Sequence, residues 1–318
     1  MIWLRAKAGV TAQQSFRHHY IPKFYTKRWS GEDYKLTEFS RPYKELISKR
    51  VLPVQTGFAD RLYELKGAPA SAAQQVEDEF MSPVDSDAAL ASEMLENADP
   101  RINTDSKWRS AWSQFLITLL MRTPKDLTVL AQIIEEDWAR DFPRFEQKYS
   151  ASRKPDDPAT LQEFIDQKDP DYIARWTIDE ARALMSHDQL GQQLNNLRWF
   201  VLTTTSDAPK FLTSDRPVVM SDTLTADNSY LYLPIGPRLL FVAVTNAKAE
   251  QRIKTWPSAK LVDETNRLVV LQASKYVYGA DSIAAEFVEG HYGKPGPKSF
   301  MERLRERRNE RAKLRDTA

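Results

Sequence analysis

The sequence predicts an α+β fold in which a mostly antiparallel sheet, built from both ends of the chain, packs against a helical middle. Short runs rich in β-branched and aromatic residues, bounded by Gly and Pro, occur before residue 66 and after residue 197. Between residues 71 and 196, apolar residues recur instead at steps of three and four, the period of an amphipathic helix. Tight turns at 207–209 and 235–237 join neighbouring strand-like runs, which indicates antiparallel pairing.

The composition indicates a globular chain with a sizeable core. It has 318 residues, of which 42% are hydrophobic, and a formal net charge of +1 that neither requires nor excludes a nucleic-acid partner. The absence of cysteine excludes disulfides and thiolate metal sites. No apolar run approaches the roughly 20 residues that span a bilayer, and no glycine pattern matches a nucleotide-binding loop. We therefore expect a soluble cytoplasmic protein without a membrane partner.

Three segments are predicted along the chain. Residues 1–15 form a loose N-terminal arm, residues 16–293 a single α+β domain with its helical middle at 71–196, and residues 294–318 a basic exposed helix. The last segment holds nine Lys/Arg and four Asp/Glu, a net charge of +5, and too few large apolar residues for a buried face. We expect Glu–Arg neighbours to hold this helix. A solvated helix is the favoured interpretation, and a phosphate-rich partner is the alternative.

The first part of the domain predicts a small antiparallel meander. Residues 17–29 contain Pro22 and several aromatic residues, which favour an extended segment or short strand over a helix. Strand-like runs follow at 34–41, 46–54 and 61–65.

Capping residues mark the first helices of the middle. Helices are predicted at 71–80 and at 83–97, the second with Ser82 as its N-cap. A third helix is predicted to begin after Thr104 or Asp105, either of which is a suitable N-cap.

The third helix is the predicted centre of the core. Trp108, Trp112 and Phe115 recur on one of its faces. The next helix opens at Pro124, and Pro143 is expected to kink or divide it. Two further helical segments are expected before residue 197.

The last part of the domain returns to strands. In order, we predict strands at 199–204, 210–213, 218–220, 230–233 and 239–244, helices at 246–255 and 258–273, a strand at 276–278, and a small helix capped by Ser282.

Three short stretches carry a resemblance to a known family. They read HHYIPKFY at 18–25, RTP at 122–124 and FLTSDRPV at 211–218. These stretches resemble the HHYVPxFYL, RTP and FITSDNPV segments of the uncharacterised bacterial family catalogued as domain of unknown function 4238. Arg216 stands where that family usually has Asn, and Thr26 where it usually has Leu. The resemblance covers about residues 17–280 and implies the fold-level grouping without implying an activity.

The adjacent histidines, His18 and His19, are candidate catalytic residues. An imidazole titrates near neutral pH, which suits general acid–base catalysis. Adjacent residues of a strand point to opposite faces, so at most one histidine is expected to face a given pocket, and the pair is a poor metal chelate. The alternative is a histidine that hydrogen-bonds a backbone carbonyl and packs under the aromatic residues.

Asp215 follows a predicted strand, a position where functional sites are often found. Its carboxylate would orient a histidine or hold a divalent cation, the one cofactor that the sequence suggests. The alternative is a turn in which Ser214 and Asp215 cap the backbone before Pro217. Ser214 lacks the glycine-flanked elbow of serine hydrolases and is a substrate-binding candidate instead.

Basic and aromatic residues complete the candidate site. Arg122 is a candidate catalytic residue that would clamp phosphate, and its alternative role is to cap carbonyls at a helix end. Tyr20, Lys23 and Arg216 are candidate substrate-binding residues. Glu77 is a weaker candidate, because a solvated helix face is the favoured interpretation.

Two functions are consistent with these residues. The first is a nuclease-like, phosphodiester-cleaving effector with nucleic acid as its partner, in which a histidine is the acid or base, Asp215 orients it or holds a cation, and Arg122 stabilises phosphate charge. The alternative is a non-catalytic module that binds a ligand or partner through residues 17–29. Catalysis requires a histidine, Asp215 and Arg122 to converge on one pocket. Separation of these groups beyond hydrogen-bond or one-water reach would favour the binding module. The sequence predicts neither the substrate nor the oligomeric state.

Overall fold

The computed structural model describes residues 17–60, 62, 76–168, 170 and 172–316. Strands lie towards both ends of the chain and helices fill its middle, so the predicted α+β architecture is confirmed. The strands are β1 Arg17–His19, β2 Leu36–Ser40, β3 Ile47–Val51, β4 Phe58–Asp60, β5 Arg198–Thr203, β6 Thr213–Ser214, β7 Val219–Met220, β8 Tyr230–Gly236, β9 Leu239–Val244 and β10 Val277–Gly279. The helices are α1 Lys23–Thr26, α2 Ser82–Glu96, α3 Arg101–Thr104, α4 Ser106–Met121, α5 Pro124–Ser152, α6 Leu161–Lys168, α7 Tyr172–Met185, α8 Asp188–Asn196, α9 Ala247–Lys254, α10 Ser258–Gln272, α11 Ala285–His291 and α12 Phe300–Asp316.

The strands of the described residues pair antiparallel in three sheets. One sheet has the order β3-β2-β10-β6 and joins the two ends of the chain, since Phe39 of β2 pairs with Val277 of β10. A second sheet has the order β5-β9-β8-β7. The third is the two-stranded ladder of β1 and β4, in which His18 lies opposite Ala59.

Helix α4 is central to the core, as its apolar period predicts. Trp112 and Phe115 are fully buried. The Trp112 ring centroid lies 5.2 Å from that of Phe115 and 5.5 Å from that of Phe241 on β9. Asp105 caps the helix by accepting the N–H of Lys107 at 2.8 Å. These contacts pack the helical middle against the sheet that contains β9.

Residues 17–29 are fastened to strands from the other end of the chain. The buried Tyr25 donates its hydroxyl to the carbonyl of Pro234 at 2.7 Å, and the same oxygen lies 2.6 Å from Oγ1 of Thr213. Trp29 donates its Nε1–H to the carbonyl of Phe211 at 2.8 Å. The aromatic residues of this stretch therefore fix the positions of β1 and α1.

The prediction that residues 17–29 are extended is wrong for their second half. Helix α1 follows Pro22 and runs into a 3-10 turn, Lys27–Trp29. The Pro22 carbonyl accepts the N–H groups of Tyr25 and Thr26, both at 3.1 Å. The first residues of a helix do not use their own N–H groups, so a proline at this position starts a turn and does not block it.

The predicted Ser82 cap is also wrong. A π-helical segment, Val76–Met81, runs directly into α2, so Ser82 is an interior residue. Ser282 makes no cap either, because α11 begins at Ala285 without a side-chain cap. The predicted strand at 61–65 lies outside the described residues except for Leu62, as do residues 71–75 of the predicted first helix.

Pro143 does not divide α5, which runs through this proline and has 29 residues in all. The rings of Trp138 and Phe145, on either side of this proline, pack with their centroids 5.5 Å apart.

Helix α12 is docked on the body of the protein. Met301 is fully buried, and Nε of Arg305 donates to Glu136 on α5 at 3.1 Å. Arg308 forms an ion pair with Asp137 on the same helix. The sequence predicts a basic exposed helix held by Glu–Arg neighbours, whereas these two arginines pair with acids on α5. Within the described residues, no helix combines the length and apolar character needed to span a membrane.

Candidate active site

A cavity of about 690 Å³ lies between β1–α1 on one side and the start of α2 with its π-helical segment on the other. Its polar lining consists of Arg17, His18, His19, Lys23, Glu77, Asp78, Ser82, Asp85 and Ser86, and its apolar lining consists of Pro22, Phe24, Val54 and Ala89. Acid–base groups, cations and an apolar wall therefore meet in one space.

Both adjacent histidines line this cavity, so the prediction that only one would do so is wrong. His18 is buried at 3% exposure and His19 is half-buried. The ladder of β1 and β4 pairs only three residues on each side. The alternation of side chains along β1 therefore does not place the two histidines in separate spaces.

His19 is neutral at physiological pH. Burial is the main cause that lowers its pKa to about 4, and the positive charges of Lys23, Arg17 and Arg122 act in the same direction. A backbone hydrogen bond with Val54 opposes this shift. The Nε2 atom is buried and has no hydrogen-bond partner among the described residues. A neutral ring that donates from its other nitrogen presents Nε2 as a proton acceptor.

Glu77 belongs to the site, although its sequence context favours a solvated helix face. Burial raises its pKa to about 7, the nearby charge of Asp85 adds to the rise, and Arg122 opposes it. Its Oε2 atom is buried without a hydrogen-bond partner among the described residues. The carboxyl group is therefore still partly protonated near pH 7, where an ordinary glutamate is ionised.

Arg122 lies directly behind the cavity wall. Its side chain is fully buried at the end of α4, and its Nη1 donates to Oδ1 of Asp85 at 2.9 Å. The Nε and Nη2 atoms have no hydrogen-bond partner among the described residues. Burial raises the pKa of Asp85 against the attraction of this guanidinium. Arg122 thus positions a cavity carboxylate, and its charge acts on both His19 and Glu77.

Asp215 holds two loops together. Its carboxylate accepts the backbone N–H groups of Ser274 at 2.8 Å, Lys275 at 2.7 Å and Tyr276 at 3.2 Å. Burial raises its pKa to about 6, even though the three N–H groups favour the ionised form. Ser214 is fully buried, and its Oγ accepts the N–H of Arg216 at 3.2 Å. The Ser214 bond corresponds to the local turn that was the alternative interpretation, whereas the Asp215 carboxylate binds a distant loop.

Arg216 lines a different cavity. Its Nη2 donates to Oδ1 of Asp126 at 2.6 Å, and both residues border a space of about 70 Å³ next to Ser299 and Arg303. Tyr20 is buried, and burial together with the charge of Asp215 raises the pKa of its hydroxyl. Neither Arg216 nor Tyr20 is among the described residues that line the larger cavity.

The structure therefore brings only part of the predicted site together. His18, His19 and Lys23 share the larger cavity with Arg122 behind them. Asp215 does not line this cavity and instead accepts three backbone N–H groups, so the predicted convergence of a histidine, Asp215 and Arg122 on one pocket is not found. Asp85, which the sequence analysis did not single out, is the carboxylate that pairs with Arg122. Within the parts of the chain that are described, no three His, Asp or Glu side chains are grouped so as to hold a metal ion.

The fold and cavity together define an α+β protein in which histidine and carboxylate side chains line a cavity where the N-terminal strand meets the helical middle. The chain belongs to the family described as "Protein of unknown function (DUF4238)", whose model matches residues 17–282. This match includes every residue that lines the larger cavity and ends before α12. Searches of curated proteins and of solved structures return no match.

Proposed function

We propose that the chain is a phosphodiester-cleaving enzyme whose acid–base pair is His19 and Glu77. The observation that carries this proposal is their presence in one cavity together with Lys23 and Arg17, backed by the charge of Arg122. Paired groups whose environments shift their pKa values in opposite directions are typical of acid–base sites.

In the proposed reaction, Nε2 of His19 accepts a proton from a water molecule as the water oxygen bonds to phosphorus. The bond from phosphorus to the leaving oxygen breaks, and Glu77 gives that oxygen its proton. Lys23 and Arg17 stabilise the charge that develops on the phosphoryl oxygens. Solvent then returns the proton from His19 to Glu77, so atoms and charge balance without a further reactant.

The remaining lining supports a nucleic-acid substrate. Phe24 and Pro22 offer an apolar surface beside the cations. Stacking of a base on such a surface, next to cations that bind the backbone, is the usual way in which single-stranded nucleic acids are bound.

A second candidate is a binding module that holds an anionic ligand without chemistry. It is favoured by the buried positions of Nε2 of His19 and Oε2 of Glu77, which a substrate would reach only after a change of side-chain conformation. The same cavity would serve, so only measurement of turnover separates the two candidates.

The test is incubation of end-labelled single-stranded RNA and DNA with wild type, His19→Gln, Glu77→Gln and His291→Gln, with and without a chelator. His291 is a matched control because it lies on α11 and bonds the carbonyl of Phe287. We expect the control to match wild type, and each cavity variant to lose about 100-fold or more in rate. Equal cleavage by all four proteins would remove the pair from the mechanism. Binding without cleavage would favour the second candidate. A loss of wild-type cleavage in the presence of chelator would show that the reaction needs a divalent cation.

A further inference from the structure

We propose that the buried Nε–Nη2 edge of Arg122 receives a terminal phosphate group of the substrate. This inference rests on the proposed function and names its substrate class. The site would take nucleotides or nucleic-acid ends that carry a phosphomonoester, and would not engage internal phosphodiesters at this position.

The Nε–Nη2 edge of Arg122 has the chemistry of a phosphate-binding group. Nε and Nη2 present two parallel N–H groups, the fork that binds two oxygens of a phosphate at once. Arg122 is fully buried, and both atoms have no hydrogen-bond partner among the described residues. Buried donors without acceptors are costly, and the cost is greater for a charged group. An edge left in this state is therefore suited to a ligand that supplies the acceptors.

The guanidinium of Arg122 lies close to the residues that line the larger cavity. The ring centroid of Phe115 lies 5.6 Å from the guanidinium carbon of Arg122 and 5.3 Å from the ring centroid of Phe24, which lines the cavity. Asp85 lines the cavity as well and bonds Nη1 of Arg122. The guanidinium of Arg122 is thus separated from the cavity by one layer of side chains. An anion that enters from the cavity would compete with Asp85 for the positive charge of Arg122.

Access decides the class of ligand. An internal phosphodiester carries a nucleoside on each side, so it cannot pass a wall residue to reach a fully buried group. A terminal phosphate presents three free oxygens and carries only one nucleoside, so it can enter end-on once the wall side chains of Asp85 and Phe24 change conformation. The cavity of about 690 Å³ would then hold the attached sugar and base, with Lys23 near the remaining charge.

The closing experiment measures binding by calorimetry with the full chain. The ligands are adenosine 5′-monophosphate against adenosine, and a 5′-phosphorylated hexanucleotide against its 5′-hydroxyl form, so free nucleotides and polymer ends are tested separately. The variants are Arg122→Lys and Asp85→Asn. Arg216→Lys is the matched control, because Arg216 is also paired with one carboxylate and also has an unpartnered Nε among the described residues.

We expect the phosphorylated ligand of at least one pair to bind about tenfold or more tightly than its phosphate-free form, which corresponds to the loss of one forked contact. Arg122→Lys should remove this preference, Arg216→Lys should keep it, and Asp85→Asn should increase it. Equal affinities within both pairs would overturn the inference without any variant. An equal loss in the two lysine variants would also overturn it.

The outcomes also separate this inference from the proposed function. Cleavage of the hexanucleotide without a preference for phosphorylated ligands would support the proposed enzyme activity and refute the phosphate site at Arg122. A preference for phosphorylated ligands without cleavage would support the phosphate site at Arg122 and refute the proposed enzyme activity.

Discussion

The opposite pKa shifts of His19 and Glu77 predict an unusual dependence of the cleavage rate on pH. The base must be unprotonated, which holds above about 4 for His19, and the acid must be protonated, which holds below about 7 for Glu77. The rate should therefore be highest between pH 4 and 7. It should be about tenfold lower at pH 8 than at pH 6, because the protonated fraction of Glu77 falls by that factor.

The assay is the initial rate of cleavage of a labelled oligonucleotide from pH 4 to 9 at constant ionic strength. Glu77→Gln should lower the rate and abolish the alkaline decline, because glutamine does not titrate. His291→Gln should keep the wild-type profile. A wild-type rate that rises through pH 7 to 9 would refute the assignment of Glu77 as the acid, and an alkaline decline retained in Glu77→Gln would assign it to another group.

Three further predictions concern stability. Protonation of His19 in the unfolded chain should lower the free energy of unfolding by up to about 3 kcal/mol as pH drops from 6.5 to 4. Glu77 and Asp215 act in the opposite direction over much of the same range, because their folded-state pKa values are raised to about 7 and about 6. The His19 contribution should therefore appear as the difference in pH dependence between wild type and His19→Gln, and identical slopes would contradict the lowered pKa. Asp215→Ala should cost about 3 kcal/mol or more in denaturant unfolding, since three backbone N–H groups lose their buried acceptor. Loss of cleavage in a variant of unchanged stability would instead indicate a direct role. Trp112→Ala should cost about 3–5 kcal/mol, as for other large buried aromatics; a cost under ~1 kcal/mol would show that α4 is peripheral.

Much of the fold was predictable because its signals are local. The period of Trp112 and Phe115 identified the central helix, Asp105 was one of the two predicted caps, and Pro124 marked the first position of α5. Pairing between distant strands has no such local signal. Nothing near Phe39 indicates that its strand lies beside that of Val277, because register depends on tertiary contacts.

The candidate site was less predictable than the fold. Residue type alone drew attention to His19, because an ordinary histidine gains or loses a proton near neutral pH. Glu77 and Asp85 lie in the first turns of helical segments, where acids are common for electrostatic reasons, so their sequence context does not reveal burial. Asp215 shows the converse problem, because an aspartate after a strand has the same sequence context whether it binds a ligand or three backbone N–H groups.

The fastening of Tyr25 to Pro234 has a consequence for how the protein is made. On the ribosome, the segment that carries both histidines emerges about two hundred residues before its partners. Contacts so distant in sequence form slowly, and an unpaired early segment is exposed to chaperones and to misassembly during that interval. The two bonds that anchor Tyr25 and Trp29 can therefore form only after Pro234 and Phe211 have been made, although every residue that lines the larger cavity lies before residue 90.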